Sequence, residues 1–389
     1  MRELVYLDNN ATTRVAPEVL EAMLPYLAEL YGNPSSAHTF GRAMRRSVER
    51  AREQVAELVG AADASEMVFT SCGSESDNWA IRGVLEQQPD KRHIVTTRVE
   101  HEAVRNLCEG LEKSDYEVSW LDVNEEGLLD LEELRAALRP ETAIVSVMLA
   151  NNETGVLFPV EEIGQIVREH SAAVFHVDGV QAVGKVPLEL RSTQVDLFSL
   201  SGHKFHAPKG VGALYVRSGL RLAPFIIGGG QERGRRAGTE AVPYVTALGA
   251  AAALAKDFGG HTELRRLRDY LEDTILSTFP NARLNGTRDR KLRLPNTANI
   301  SFEHIEGESI LAQLDEAGIA VSTGSACNAE SHVSSAVLRA MNIPYTAAQG
   351  SIRFSLGRYT TASEIDYTLA RLSPIISQLA LMSPYEIKQ

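Results

Sequence analysis

No run in this sequence approaches the roughly 18 consecutive apolar residues that a membrane-crossing helix needs. The opening MRELVYLDNNATT carries no apolar signal core either. No segment is expected to span or anchor to a membrane. Positive charge is in short supply: 39 Lys and Arg against 51 Asp and Glu leave a formal charge of −12. That balance argues against nucleic acid or an anionic membrane surface as the main partner. Cysteine is scarce too. Cys72, Cys108 and Cys327 fit no zinc spacing and cannot all pair, so free thiols in a reducing cytoplasm are expected. Repeats, low-complexity tracts and any excess of glycine or proline are also missing.

What remains is 389 residues, 44% hydrophobic and 23% charged. That is enough apolar material for a large core and a smaller second one. Short apolar or β-branched runs appear at 67–70, 93–97, 118–123, 143–149, 173–177, 195–200 and 213–216. Bounded by turn residues, they suit strands buried on both faces. Amphipathic helices lie between several of them. One places Met44, Val48, Ala51, Val55 and Leu58 on one face. Another opens with Asp130-Leu-Glu-Glu133, which matches a capping box. This alternation predicts an α/β fold with a mainly parallel sheet, ligands binding at the strand ends. After an Ala-rich helix at 241–256 the pattern changes to a charged helix at 262–278 and strands near 298–302 and 350–356. A domain boundary is expected near Gly259-Gly260.

The stretch Phe198-Ser-Leu-Ser-Gly-His-Lys204 runs from a buried strand into Ser201, Gly202, His203 and Lys204. About twenty residues earlier another strand ends in His176-Val-Asp178-Gly-Val-Gln181. If those strands are neighbours, Asp178 and Lys204 face one pocket. A lysine amine and a carboxylate together are what pyridoxal phosphate requires. The amine bonds to its aldehyde, and the carboxylate keeps the ring nitrogen protonated. Taken alone, Lys204 reads as a surface charge and Asp178 as a helix N-cap. Gly73 and Ser74 follow a strand and open a helix whose N–H groups could hold a phosphate, although a plain N-cap would look the same. His101 also follows a strand and could stack on a planar ring; the alternative is a structural histidine. The basic run from Gly228 to Thr239 reads either as an anion-approach loop or as a solvated turn.

Cys327 lies among small and polar residues with no apolar periodicity to bury it, whereas Cys108 sits in a helical run and reads as inert. An exposed thiolate is a strong nucleophile, and His332 lies nearby in sequence. Arg353 stands in an otherwise apolar strand. A buried arginine needs a carboxylate, either from an amino-acid substrate or from the protein.

With these residues assembled, the sequence resembles the cysteine desulfurases of the NifS/IscS group, within the fold-type I pyridoxal-phosphate enzymes. The resemblance runs nearly end to end, through YLDNNATT from Tyr6, GNPS from Gly32, ESDN from Glu75 and ANNETG from Ala150. It continues through SGHK from Ser201, GSAC from Gly324 and RFSLGRYTT from Arg353. Runs such as QERGRRAGTE from Gln231 look most like the nitrogen-fixation branch.

The resemblance implies a large cofactor-binding domain at 16–259 and a small domain formed by 1–15 and 260–389. It implies that Lys204 holds the cofactor and then moves protons at the substrate, with His101 stacked on the ring and Asp178 at the ring nitrogen. Gln181 and Asn152 would contact the ring oxygen or the substrate. Gly73, Ser74, Ser201, Gly202 and His203 would hold the phosphate end, with Thr239 reaching it from the other subunit of a homodimer. Arg353 would clamp the carboxylate of L-cysteine. Cys327 would take its sulfur as a persulfide, for an iron–sulfur scaffold protein or another thiol, and is a candidate transient cluster ligand.

Ser74 replaces a more usual Thr and Gly179 a more usual Ala, which is expected to loosen the seat of the ring. Asn328-Ala-Glu330 departs from the Thr-Ser-rich pattern after the cysteine. The rival readings are a selenocysteine lyase or other fold-type I activity, and a non-catalytic sulfur carrier or scaffold.

Overall fold

A computed structural model describes residues 4–256, 259–323 and 334–383. The apolar runs of the first half form strands β1 (Val5–Tyr6), β2 (Met67–Thr70), β3 (His93–Thr97), β4 (Glu117–Leu121), β5 (Thr142–Met148), β6 (Val174–Asp178), β7 (Leu197–Ser201) and β8 (Gly212–Val216). Every residue of β2, β3 and β5–β8 is buried, as a sheet covered on both faces demands. β2 to β8 make one seven-stranded sheet in the order β2-β8-β7-β6-β5-β3-β4. All its neighbours are parallel except β8, which runs against both β7 and β2. The expected α/β class and mainly parallel sheet are the ones found.

Strand order decides where a ligand can sit. From β3 the chain moves outward to β4; from β5 it moves the other way to β6. The loops leaving β3 and β5 therefore part, and a crevice opens at the carboxyl ends of the strands. The helix Gly73–Gln87 covers one face of the sheet, burying Trp79, Ile81 and Val84 with Val68, Ile94 and Ile144. The helices Thr39–Val59 and Val242–Lys256 cover the other face. The helix Leu131–Ala137 is capped by Asp130, which accepts from Glu132 N at 2.8 Å. The capping box expected there does not close. Glu133 turns away to accept from Asp122 N at 3.1 Å, because the adjacent strand end leaves that donor open.

The later strands are β9 (Ala282–Leu284), β10 (Thr297–Phe302), β11 (Ile319–Ala320), β12 (Ser322–Thr323) and β13 (Ser351–Ser355). β12-β13-β10-β9 form an antiparallel sheet, and β1 pairs with β11. Their own core holds Leu7, Leu271, Phe302, Phe354 and Leu372, whereas Ala16 belongs to the core under the large sheet. Residues 8–15 thus cross from one core to the other. Among the described residues no helix is long and apolar enough to cross a membrane.

At the end of β6, Gly179 matters for packing. A Cβ built there would lie 1.8 Å from Cζ of Phe198, whose ring fills that space. The seat beside Asp178 is therefore packed by the neighbouring strand. The Gly179→Ala variant should lose about 1–3 kcal/mol through overpacking. In urea unfolding, adding Phe198→Leu should leave the double variant less destabilised than the sum of the two singles.

Candidate active site

The crevice is a cavity of about 170 Å³ at the ends of β3, β5, β6 and β7. Nine of the residues singled out in the sequence line it: Gly73, Ser74, His101, Asn152, Asp178, Gln181, Ser201, His203 and Lys204. β6 and β7 are neighbours with Asp178 opposite Ser199, so a carboxylate and a lysine leave adjacent strand ends toward one space. Lys204 Nζ donates to the backbone oxygens of Asn10 and Ala11 at 2.6 and 3.0 Å. Those two carbonyls fix the amine at the mouth of the strand ends.

The other walls are built locally. Asn151 folds the turn after β5: its Oδ1 accepts from the N–H groups of Glu153 and Thr154 at 3.0 and 2.9 Å. The turn presents Asn152, whose buried Oδ1 has no partner within the described protein. His101 caps the helix Glu102–Glu112, with Nδ1 accepting from Ala103 N at 3.1 Å, which leaves Nε2 to carry the proton. Burial lowers its proton affinity; Asp178 opposes that and Lys204 adds to it. At the far end, the helix Gly73–Gln87 begins at the cavity, where its first N–H groups have no intrahelical partner. A Cβ on Gly73 would meet Val180 Cγ2 at 2.7 Å, so glycine keeps the approach to those N–H groups open. His203 Nδ1 lies 3.2 Å from Thr12 Oγ1, and burial, then Lys204, push its pKa down to about 4.

Three sequence candidates do not line the cavity. Gly202 is buried beneath it, where a Cβ would meet Ala207 and Leu248 at 2.9 Å. Thr239 is exposed on the 228–240 loop. That loop is held by the buried Arg52–Glu232 pair at 2.7 Å and by Arg236–Glu75 at 2.8 Å. Arg353 lies behind Asn152, with Nη1 on Asn152 O at 3.0 Å and Nη2 on Asp8 Oδ1 at 2.8 Å, while its Nε has no hydrogen-bond partner among the described residues. The protein ion pair is therefore present. Cys327 and His332 lie outside the described residues, as does any cluster ligation by Cys327. Cys108 is buried, and burial pushes its thiol up to about 12.

Five groups escaped the sequence reading. Asp77 and Glu100 are buried carboxylates close to Asp178. Burial first, and then the charge of Asp178, hold Asp77 well above the usual carboxylate range; burial raises Glu100 to about 8. Among the described residues Asp77 Oδ1 and Glu100 Oε2 have no hydrogen-bond partner. Asp8, Asn10 and Lys185 bind the functional side chains from behind. Their signal was the polar Asp8-Asn9-Asn10 run directly after an apolar strand, which only buried partners explain.

A mainly parallel α/β sheet with a lysine, a carboxylate and an open helix N-terminus converging at its strand ends is the architecture of a pyridoxal-phosphate enzyme. The chain belongs to the class-V aminotransferase family, whose model matches residues 5–368. It is 56% identical over 388 residues to a cysteine desulfurase of Trichormus azollae, covering 98% of this chain and 95% of that one. It is 52% identical over 383 residues to the cysteine desulfurase NifS of Azotobacter vinelandii, covering 98% and 94%. A solved NifS-like protein shares 40% identity at a TM-score of 0.91, covering 97% of this chain and all of that one (100%).

The cavity fits the cofactor. Asp178 and the open helix N-terminus stand at its walls with the Lys204 amine, and the unpartnered Asp77 Oδ1 and Asn152 Oδ1 belong to residues lining it.

Glu100 gives a test by pH. Its carboxyl stays protonated in the folded protein up to about 8, against an ordinary value of 4.5, so the folded state binds the extra proton between those values. Stability should therefore fall as pH rises through that window. Glu100→Gln keeps the acceptor for Thr97 Oγ1 and Met148 N. Urea midpoints at pH 5.5 and 7.5 should drop less for this variant than for the wild type.

Proposed function

We propose that the protein is a cysteine desulfurase that converts L-cysteine to L-alanine and holds the sulfur as a persulfide on Cys327. The observation that carries this reading is where the flanks of the cysteine segment are fixed. Before it, Ser322 pairs with Arg353 and donates to Asp8 Oδ1 at 2.9 Å. After it, Ser335 donates to Glu153 Oε2 at 2.5 Å, one residue beyond Asn152. Thr323 and Ser334 thus leave the described chain at the rim of the Lys204 cavity, on either side of Cys327 in sequence.

Bound pyridoxal phosphate supplies an electron sink that stabilises negative charge at the substrate α-carbon. Asp178 holds a proton at the ring-nitrogen end, and the helix start at Gly73 and Ser74, with Ser201 and His203, takes the phosphate. His101, which lines the cavity with Nδ1 held by Ala103 N, would stack on the ring. Lys204, held by the Asn10 and Ala11 oxygens, would bond the cofactor's aldehyde and serve as the base at the substrate α-carbon. Arg353, whose Nε has no hydrogen-bond partner among the described residues, would meet the substrate carboxylate from the Asn152 side of the cavity. The Cys327 thiolate attacks the substrate sulfur: a sulfur–sulfur bond forms, the carbon–sulfur bond breaks, and its electron pair stays with the carbon that is protonated to alanine. One cysteine and one protein thiol give one alanine and one persulfide, so no outside oxidant is consumed. The sulfur then passes to an acceptor thiol by exchange, which we assign to an iron–sulfur scaffold protein serving cluster assembly, with nitrogenase maturation the favoured destination.

A homodimer is part of this reading. Leu24, Leu27, Tyr31 and Ile227 are exposed apolar side chains, Ile227 at 88%, and Thr239 faces away from its own cavity. The free Cys72 and Cys108 suit a cytoplasmic setting. The division at 16–259, with 1–15 and 260–389 as the smaller unit, is supported by the separate core around Leu7, Phe302 and Phe354.

Purified protein given L-cysteine and a dithiol should release sulfide and alanine in equal amounts. The Cys327→Ala variant should keep the cofactor's visible colour and release neither sulfide nor alanine beyond background. Full sulfide release by that variant would remove Cys327 from the reaction, and a wild-type protein with colour but no products would move the activity to another amino acid.

A further inference from the structure

Lys185 stands four residues after Gln181 and has no part in the chemistry above. Its Nζ donates to Gln181 Oε1 at 2.7 Å and to Asn10 Oδ1 at 3.2 Å. Both partners are side-chain amides, and an amide carries an acceptor on one side and a donor on the other with almost no difference in shape. A neighbour that offers only N–H decides which side it meets. Opposite Lys185 the oxygens must face inward, so each amide nitrogen must face elsewhere.

The consequences reach the cavity. Gln181 Nε2 is turned to Asn10 O at 2.8 Å, the oxygen that also takes Lys204 Nζ at 2.6 Å. Asn10 Nδ2 is turned to Asn152 O at 3.2 Å and to Thr297 Oγ1 at 2.9 Å. With the Gln181 amide reversed, an oxygen would face the Asn10 carbonyl, acceptor against acceptor. With the Asn10 amide reversed, Asn152 O and Asn296 Nδ2, now 3.1 Å from Asn10 Oδ1, would both meet the wrong group.

We propose that Lys185 is a positioning residue, locking the Gln181 and Asn10 side-chain amides so that Gln181 keeps its N–H on the Asn10 backbone oxygen that also takes Lys204, and Asn10 keeps its Nδ2 on Asn152 O at the cavity wall. Two N–H groups suffice for this, and Lys185 Nζ turns one toward each of the two oxygens. The charged and titratable groups around it are Lys204, Arg353, His203 and His206. Burial, then Lys204 and Arg353, lower the Lys185 proton affinity, in keeping with an amine held by neutral oxygens.

The inference rests on the pyridoxal-phosphate site, and its turnover arm alone rests on the L-cysteine reading. The test is Lys185→Met in the full-length holoenzyme, which keeps the bulk of the stem and removes both N–H groups. The pH midpoint of the bound cofactor's visible band should move by about one unit, because the donors around Lys204 and the ring are rearranged. In steady state, kcat for L-cysteine should fall roughly tenfold or more with KM changed far less, since misplaced groups cost most in the reacting geometry. Lys185→Arg, which keeps donors toward both oxygens, should return the midpoint toward the wild-type value. A Lys185→Met protein with the wild-type midpoint and kcat, whatever its melting temperature, overturns the proposal and leaves Lys185 a structural residue. Should that variant not fold, Lys185→Leu carries the same test: it too offers no N–H to either oxygen, and an unshifted midpoint is again fatal. The midpoint needs no substrate, so a failure of the desulfurase reading would leave this comparison able to decide.

Discussion

Asn10 is hydrogen-bonded at every polar atom it has. Its N–H goes to Ser355 Oγ at 2.9 Å; its carbonyl takes Lys204 and Gln181. Its side-chain oxygen takes Lys185 and Asn296, and its side-chain nitrogen goes to Asn152 O and Thr297 Oγ1. The residue is 1% exposed, where an unmet polar group costs about 1–3 kcal/mol. Its chain segment passes from the core of Leu7 to the core of Ala16. One asparagine therefore joins the strand ends of the large sheet to the β10 and β13 region, and Lys204 hangs from its carbonyl.

The same arrangement explains the site's electrostatics. Asp77, Glu100 and Asp178 are buried together, and among the described residues the one ion-pair contact of Asp77 or Glu100 is His176 Nε2, 3.6 Å from Asp77 Oδ1. Nearby His176 is no source of charge, since burial lowers its pKa to about 3 and its ring nitrogens face Ser146 and Ser199. Burial raises the proton affinity of all three carboxyls, and only at Asp178 do nearby His101 and Lys204 oppose it. A cluster of this kind is costly without its ligand, and it sits where the sheet opens. The amides and oxygens around it are held from behind by Lys185, Asn10 and Asn151, so the donors and acceptors stand ready before substrate arrives.

Much of the fold could be read in advance. The runs at 67–70 and 93–97 became β2 and β3 with those same bounds, because β-branched and apolar residues between turn residues leave few alternatives. The Asp178 and Lys204 pair was legible for the same reason: both end strands that chain order makes neighbours. The capping box at Asp130 was misread, because Glu133 had a nearer donor than the cap backbone. The effect expected of Gly179 also looked different in three dimensions. Its missing Cβ is replaced by the Phe198 ring from the adjacent strand, which no local pattern reveals.

The sequence by itself determined the strand and helix alternation, the family, and the residue types at the strand ends. These depend on local periodicity and on short ordered motifs. Only the tertiary structure decided that Arg353 already has a carboxylate in Asp8, that Thr239 stays out of its own cavity, and that Asn10 and Lys185 set the directions of the amides. Those facts depend on contacts between residues more than a hundred positions apart, or on which end of an amide faces a neighbour. Neither leaves a periodic trace along the chain, because a buried polar group is chosen by its partner in space and not by its neighbours in sequence.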